Sequence, residues 1–290
     1  MAFLSPIKHN LATHHGSENL VVKVTTDGGV TGFGEGVPRA FVTGETLAAS
    51  LAFLKETLAP PEQMAQLFHL VKLHGMRFLK LKVGTPEDLQ ILAQAREELG
   101  WDLDLRVDAN CAWSPAEAID RLREMAPFRL SAVEQPVAKE DFEGLRKVQD
   151  VVGLPVIADE SLCTEADAQR LIDLKACQIF NLRLSKCGGL AAARRLRQLA
   201  EKAGVSCQLG CHVGETSILS AAGRHFALCS PRLAYLEGSF SPFLLRRDPV
   251  AEPVTFDHGG AAGGLPGPGL GVEVLDSVLD EMAVSREAVP

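Results

Sequence analysis

The chain has 290 residues, a formal net charge of -8 and no basic run, which argues against nucleic acid or an anionic membrane as a partner. That length suits one large domain or one and a half. No apolar stretch approaches the roughly 18 residues that a spanning helix needs, and the first residues lack a signal-peptide pattern. The seven cysteines are odd in number and include no C-x-x-C, which predicts reduced thiols in a cytoplasmic protein, not disulfides or structural zinc.

Residues 8–17 are polar and carry His9, His14 and His15; they read as a loop. Residues 18–25 and 30–35 read as two strands around Asp27-Gly28-Gly29, a hairpin turn signal. Residues 43–58 have helical apolar spacing, with Thr43 as N-cap. Pro60-Pro61 breaks the chain, and 62–74 reads as a helix ended by Gly75.

From there a rhythm sets in. Strand-like runs at 78–83, 103–107, 130–133, 155–158, 178–184, 205–209 and 233–236 alternate with amphipathic stretches at 86–99, 114–125, 141–151, 165–174, 190–203 and 215–228. Ser114-Pro115 before Glu117, and Thr164 before Glu165, are helix-start signals. The polar residues closing the runs are Lys82, Asp108, Glu134, Asp159 and Lys186, about 26 residues apart. A strand–helix unit repeating at that interval predicts parallel βα units closing into a (β/α) barrel of α/β class. The Gly- and Pro-rich stretch 259–271 and a short amphipathic end at 272–284 read as a segment packing back on the body. The expected division is 1–60 as a small α+β unit, 61–250 as the barrel and 251–290 as the returning segment.

In such a barrel the strand ends converge on one mouth. Three carboxylates there, Asp108, Glu134 and Asp159, are hard oxygen donors suited to Mg2+. Lys80 and Lys82 point to one side of their strand, and Lys186 stands on the other flank in strand order. Burial and neighbouring positive charge lower a lysine's pKa, which makes it a usable base. This supports removal of a proton α to a carboxylate, with the metal stabilising the enolate. Bases on both faces allow epimerisation. His212 and Glu215 follow the sixth of the runs, and Glu237 follows the seventh; with Lys80 and Asn110 they are candidate substrate contacts.

These residues resemble the enolase superfamily, in its muconate cycloisomerase-like subgroup. The resemblance rests on Lys80-Leu-Lys82, on Asp108-Ala-Asn110 with Trp113, and on Val133-Glu134-Gln135-Pro136. Asp159-Glu160-Ser161 and Ser185-Lys186 with Gly188-Gly189 complete it. It implies Mg2+ on Asp108, Glu134 and Asp159, Lys82 and Lys186 as the acid/base pair, and Lys80 touching the substrate carboxylate. It implies a TIM-type barrel with an N-terminal capping domain, whose loops near 9–17 and 38–46 select the substrate, and a homo-oligomer acting on a small carboxylate. Cycloisomerase, epimerase and o-succinylbenzoate-synthase-like dehydration share this core; mandelate racemase relatives use a His–Asp dyad instead. Two departures stand out. The rest of the cap and the first barrel strand are missing before Pro60, which leaves a truncated, catalytically impaired metal-binding or assembly protein as the alternative. The resembled dipeptide epimerases carry an Asp-x-Asp after the last strand to hold the substrate amine; here those positions are Gly238 and Phe240.

Overall fold

A computed structural model describes residues 1–9, 12–17, 19–25, 30–36 and 61–286. Two antiparallel hairpins come first: β1 (Ala2–His9) with β2 (Ala12–Gly16), and β3 (Leu20–Thr25) with β4 (Thr31–Gly36). The second hairpin is the one expected from the turn signal. The first corrects the reading of 8–17 as a loop: Lys8 pairs with Thr13 and His9 with Ala12. Backbone N–H and C=O groups there found partners in a strand ladder, which a polar composition does not forbid. The helix expected at 43–58 and the loop at 38–46 lie outside the described residues.

Helix α1 (Pro61–Leu73) buries Met64, Phe68 and Val71, spaced as one helical stripe. Gly75, at φ 62°, ends it in the left-handed region that glycine enters without strain. Six parallel strands follow in consecutive order: β5 (Phe78–Lys82), β6 (Asp104–Asp108), β7 (Val133–Glu134), β8 (Val156–Ala158), β9 (Ile179–Leu182) and β10 (Ser206–Leu209). Between and after them come α2 (Asp88–Leu99), α3 (Pro115–Met125), α4 (Phe142–Val152), α5 (Glu165–Asp173), α6 (Gly189–Ala203) and α7 (Ser217–Leu228). The two expected helix starts hold. Ser114 and Glu117 form a reciprocal capping box at α3, and Thr164 and Asp167 form one at α5. The tail adds the short helices α8 (Ser241–Leu244) and α9 (Asp276–Met282).

The seventh run, 233–236, forms no ladder strand. It follows β10 through Ala234 N–H to Cys207 O (2.7 Å), Leu209 N–H to Tyr235 O (3.1 Å) and Glu237 N–H to Leu209 O (2.9 Å). At the other end of the arc, β5 pairs with β6 alone among the described residues. The barrel is therefore an arc with a seam where the resembled pattern has its first strand.

Side-chain alternation sorts the arc into two faces. Leu105, Val107, Val133, Val156, Phe180 and Leu182 are buried in one large cluster that includes residues of all the helices from α1 to α7. Fully burying each such side chain contributes about 1.5–3 kcal/mol, so this layer carries most of the stability. The other face lines the barrel interior. Its floor is apolar, with Ala132, Ile157, Ile179 and Tyr235 in one small cluster. Above that floor, two residues further along each strand, the interior turns polar.

The hairpins dock on the loop after β10. Ser17 Oγ and Asn19 Nδ2 each donate to Gly214 O at 2.9 Å. Glu35, on β4, accepts from the N–H groups of Thr216 (3.0 Å) and Leu219 (3.1 Å), so it caps the N-terminus of α7. The tail returns to the second hairpin through Lys23 and Asp276, 2.6 Å apart.

Candidate active site

The strand register sets the site. Lys82 is level with Asp108, and Asp108 with Glu134. Immediately after these positions the backbone turns sharply: Asn110, Cys111 and Gln135 have φ of 42°, 64° and 37°. Such conformations are uncommon outside glycine and cluster at functional sites. Gln135 ties the backbone around Asp159 in place. Its Oε1 accepts from the N–H groups of Asp159 (3.0 Å) and Ser161 (3.1 Å), and its Nε2 donates to Ser161 Oγ at 2.7 Å.

Asp108, Glu134 and Asp159 are all buried and are interleaved with cations. Lys82 donates to Asp108 Oδ2 at 2.6 Å and to Asn110 Oδ1 at 2.5 Å. Lys80 lies 3.5 Å from Asp108, 3.2 Å from Glu134 and 2.7 Å from Glu237. Arg183 bridges Glu134 (3.2 Å) and Asp159. Lys186 donates to Asp159 O (2.6 Å), Asp159 Oδ1 (2.8 Å) and Asn181 O (3.0 Å), which uses all three of its N–H donors. Glu134 also accepts from Asn181 Nδ2 (2.8 Å) and Gln208 Nε2 (2.9 Å). Asn181 fits only because residue 210 is glycine: a Cβ there would stand 2.2 Å from Asn181 Oδ1.

These contacts set the charges. Burial works to raise the Glu134 pKa, but Lys80 and Arg183 outweigh it and hold the carboxyl well below its usual range. Asp108 moves up, through burial and then through the charge of Glu134. Glu160, beside Asp159, is pushed up to about 8 by burial and by the charges of Asp159 and Asp108. Burial works to lower Lys80 and Lys186, but Glu134 and Asp159 respectively overcome it, and both ammonium groups titrate above the usual lysine value. At Lys80 and Lys186, carboxylates within hydrogen-bond reach therefore outweigh the burial and like charge that would depress a lysine.

The other expected contacts divide. Asn110 meets Lys82 directly. His212 and Glu215 form a separate group: Ser185 Oγ shares a short hydrogen bond with His212 Nδ1, and His212 N–H donates to Glu215 Oε2 at 3.1 Å. Glu215 is pushed up to about 8, chiefly by burial and also by the Glu35 charge. Glu237 is held between Lys80 and Arg106 (2.8 Å), with the Arg106 guanidinium 4.2 Å above the Tyr235 ring. Sequence reading missed Arg106, Arg183 and Glu160. Both arginines had a signal: Arg106 alternates with Asp108 as Lys80 does with Lys82, and Arg183 alternates with Asn181 within the run 178–184.

The donor chemistry at the mouth fits a hard divalent cation: three carboxylates from successive strands, with Asp108 raised by burial and then by its repulsion from Glu134. As they stand, no three His, Cys, Asp or Glu side chains among the described residues converge to enclose one, because Lys80 and Arg183 lie between the carboxylates.

A (β/α) barrel with carboxylates and lysines facing one another at its mouth, and an antiparallel cap docked beside it, defines a class of barrel enzyme. Residues 63–278 match the family model for the enolase C-terminal domain-like fold, and the chain belongs to the enolase superfamily. A hydrophobic dipeptide epimerase of Enterococcus faecalis is 30% identical over 319 aligned residues, covering 85% of this chain and 89% of that protein. An N-succinyl-L-Arg/Lys racemase of Bacillus cereus is 27% identical, covering 98% and 96%. The solved dipeptide epimerase of Cytophaga hutchinsonii, a complex with Mg and D-Ala-L-Val, superposes with a TM-score of 0.86 at 25% identity, covering 97% of this chain and 95% of that one. The chain is an enzyme of this superfamily, of the isomerase type these relatives represent. No helix among the described residues is long and apolar enough to cross a membrane.

Proposed function

We propose that the chain moves a proton at the carbon α to a carboxylate, epimerising or racemising a small amino-acid derivative, with Lys82 and Lys186 as the acid/base pair. One observation carries this reading: two lysines reach the same carboxylate cluster from opposite sides in strand order, Lys82 at Asp108 (2.6 Å) and Lys186 at Asp159 (2.8 Å). One lysine takes the proton from one face of the substrate, and the other returns a proton to the opposite face. Asp108, Glu134 and Asp159 would hold Mg2+; Asn181 keeps the Glu134 carboxylate in place, and Gln135 fixes the backbone that carries Asp159. When bound, the cation supplies positive charge where the substrate carboxylate gains negative charge as the proton leaves. The Lys80 ammonium adds to that field from below. A cycloisomerase would use the same pair.

The substrate class follows from the relatives and from this chain's own residues. Dipeptides and N-acylated amino acids both offer a carboxylate beside an acidified α carbon. Glu237 is already engaged by two cations, which favours an N-acylated amino end over a free ammonium. His212 and Glu215 would act on the substrate through Ser185 and the loop after β10. Residues 1–60 as cap, 61–250 as barrel and 251–290 as returning segment remain part of the proposal, as does a homo-oligomer. A second reading, an assembly or metal-binding protein with impaired catalysis, is favoured by the one-sided pairing of β5 among the described residues.

The test combines Mg2+ calorimetry with α-proton exchange in D2O on dipeptides and N-succinyl amino acids. Glu134→Ala is expected to lose Mg2+ binding. Lys82→Ala is expected to keep Mg2+ affinity and to lose turnover by about 100- to 10,000-fold, the usual contribution of a general base. Normal Mg2+ binding in Glu134→Ala would overturn the ligand assignment; no exchange by the Mg2+-bound parent protein would favour the second reading.

A further inference from the structure

Lys82 ends β5, which among the described residues has a backbone partner on one side only, and its side chain is 32% exposed. A four-carbon stem in such a place loses much rotamer freedom when it is held in one conformation. Two acceptors hold it: Asp108 Oδ2 at 2.6 Å and Asn110 Oδ1 at 2.5 Å. Two bonds from a three-donor ammonium fix where the third points. The second bond depends on which end of the Asn110 amide faces the lysine, because a reversed amide would aim its NH2 group at the ammonium. Glu160 settles that choice: its Oε1 accepts from Asn110 Nδ2 at 2.9 Å. Asn110 is itself set by its left-handed backbone and by its N–H bond to Asp108 Oδ1 at 3.0 Å.

We propose that Glu160 and Asn110 form a brace that aims the Lys82 ammonium, with Glu160 as a positioning residue acting through Asn110. The inference rests on the reading of Lys82 as an acid/base group. Glu160 is otherwise hard to account for. It is buried, and its Oε2 has no hydrogen-bond partner among the described residues. An unsatisfied buried oxygen lowers stability; among the described residues its carboxyl makes one hydrogen bond, to Asn110, beside the attraction of the Arg183 guanidinium. The brace does not reach Lys186, whose donors go to Asp159 and Asn181. Its loss therefore disables one face of the substrate and spares the other.

The experiment measures α-proton exchange in D2O from each epimer of a hydrophobic dipeptide, in Glu160→Met and Glu160→Gln. Glu160→Met frees the Asn110 amide to turn. Exchange from the epimer that presents its proton to Lys82 is expected to fall about 10- to 100-fold, the scale of a small misplacement of a reacting group, with KM and exchange from the other epimer nearly unchanged. Glu160→Gln keeps an oxygen toward Asn110 and is expected to restore the rate. Equal slowing of both epimers, or none, would overturn the proposal. A second measurement needs no substrate. In 15N-lysine-labelled protein the Lys82 ammonium signal, slowed by its two bonds, is expected to broaden away in Glu160→Met and in Asn110→Ala. Its persistence in both would overturn the brace. If the parent protein exchanges neither epimer, the functional reading fails while the ammonium signal still judges the brace.

Discussion

The arc from β6 to β9 and the seam between β5 and residue 237 enclose the same interior by different means. Along the arc the backbone ladder is continuous, and Val133, Val156 and Phe180 are fully buried behind it. At the seam no backbone bonds cross among the described residues. The contact is made by side chains: Lys80 to Glu237 at 2.7 Å, and the Phe78 ring edge-on to Tyr235 at 6.4 Å. Phe78 and Leu236 stay 55% and 63% exposed there, where their counterparts along the arc are covered. Ladder bonds and apolar packing need a strand on each side; an ion pair needs only reach. The difference shows that a barrel interior can keep its charge arrangement across a gap that its hydrogen-bond network does not cross.

The largest expected effect lies on the arc. Phe180→Ala should cost about 3–5 kcal/mol by opening a cavity in the main core, read as a shift in denaturant midpoint. A shift no larger than for an exposed residue would remove the contrast. At the seam, Glu237→Gln should cost less, about 1–3 kcal/mol, by weakening the partner of two buried cations. Its mark should be local, with β5 amides exchanging hydrogen faster than those of β7 to β9. Uniform loss of protection would mean that the seam is no separate weak point.

A smaller effect is tied to pH. Glu215, on the loop after β10, has its ordinary value near 4.5 raised to about 8 by burial. The folded state therefore holds a proton that the unfolded chain releases, and stability present below about 4.5 is lost as pH rises through about 8. Glu215→Gln should flatten the fall in melting temperature over that window; an unchanged slope would assign it to other groups. The smallest effect is behind the arc: Ser114→Ala removes the α3 cap and should cost about 1 kcal/mol in thermal melting, with the site untouched.

Much of this was legible in advance. The 26-residue spacing of Lys82, Asp108, Glu134, Asp159 and Lys186 gave the βα repeat, because strand ends in a barrel share one mouth. The capping boxes at Ser114 and Thr164 were readable because both halves lie three residues apart. The pairing of β1 with β2 was not, since ladder pairing depends on a partner and not on composition. The raised pKa values of Lys80 and Lys186 were not legible either: the sequence shows that lysines are near one another in the chain, not which carboxylate each one touches.

The sequence by itself determined the class of fold, the set of carboxylates and lysines, and the family, because periodicity and short motifs are local or regularly spaced. Only the tertiary structure decided which cation lies on which carboxylate, that Arg183 and Arg106 join the site, that Glu237 is engaged, and that the seam is spanned by side chains. Those outcomes depend on distances between residues far apart in the chain: Lys80 and Glu237 stand 2.7 Å apart across 157 positions, and only packing fixes such a distance.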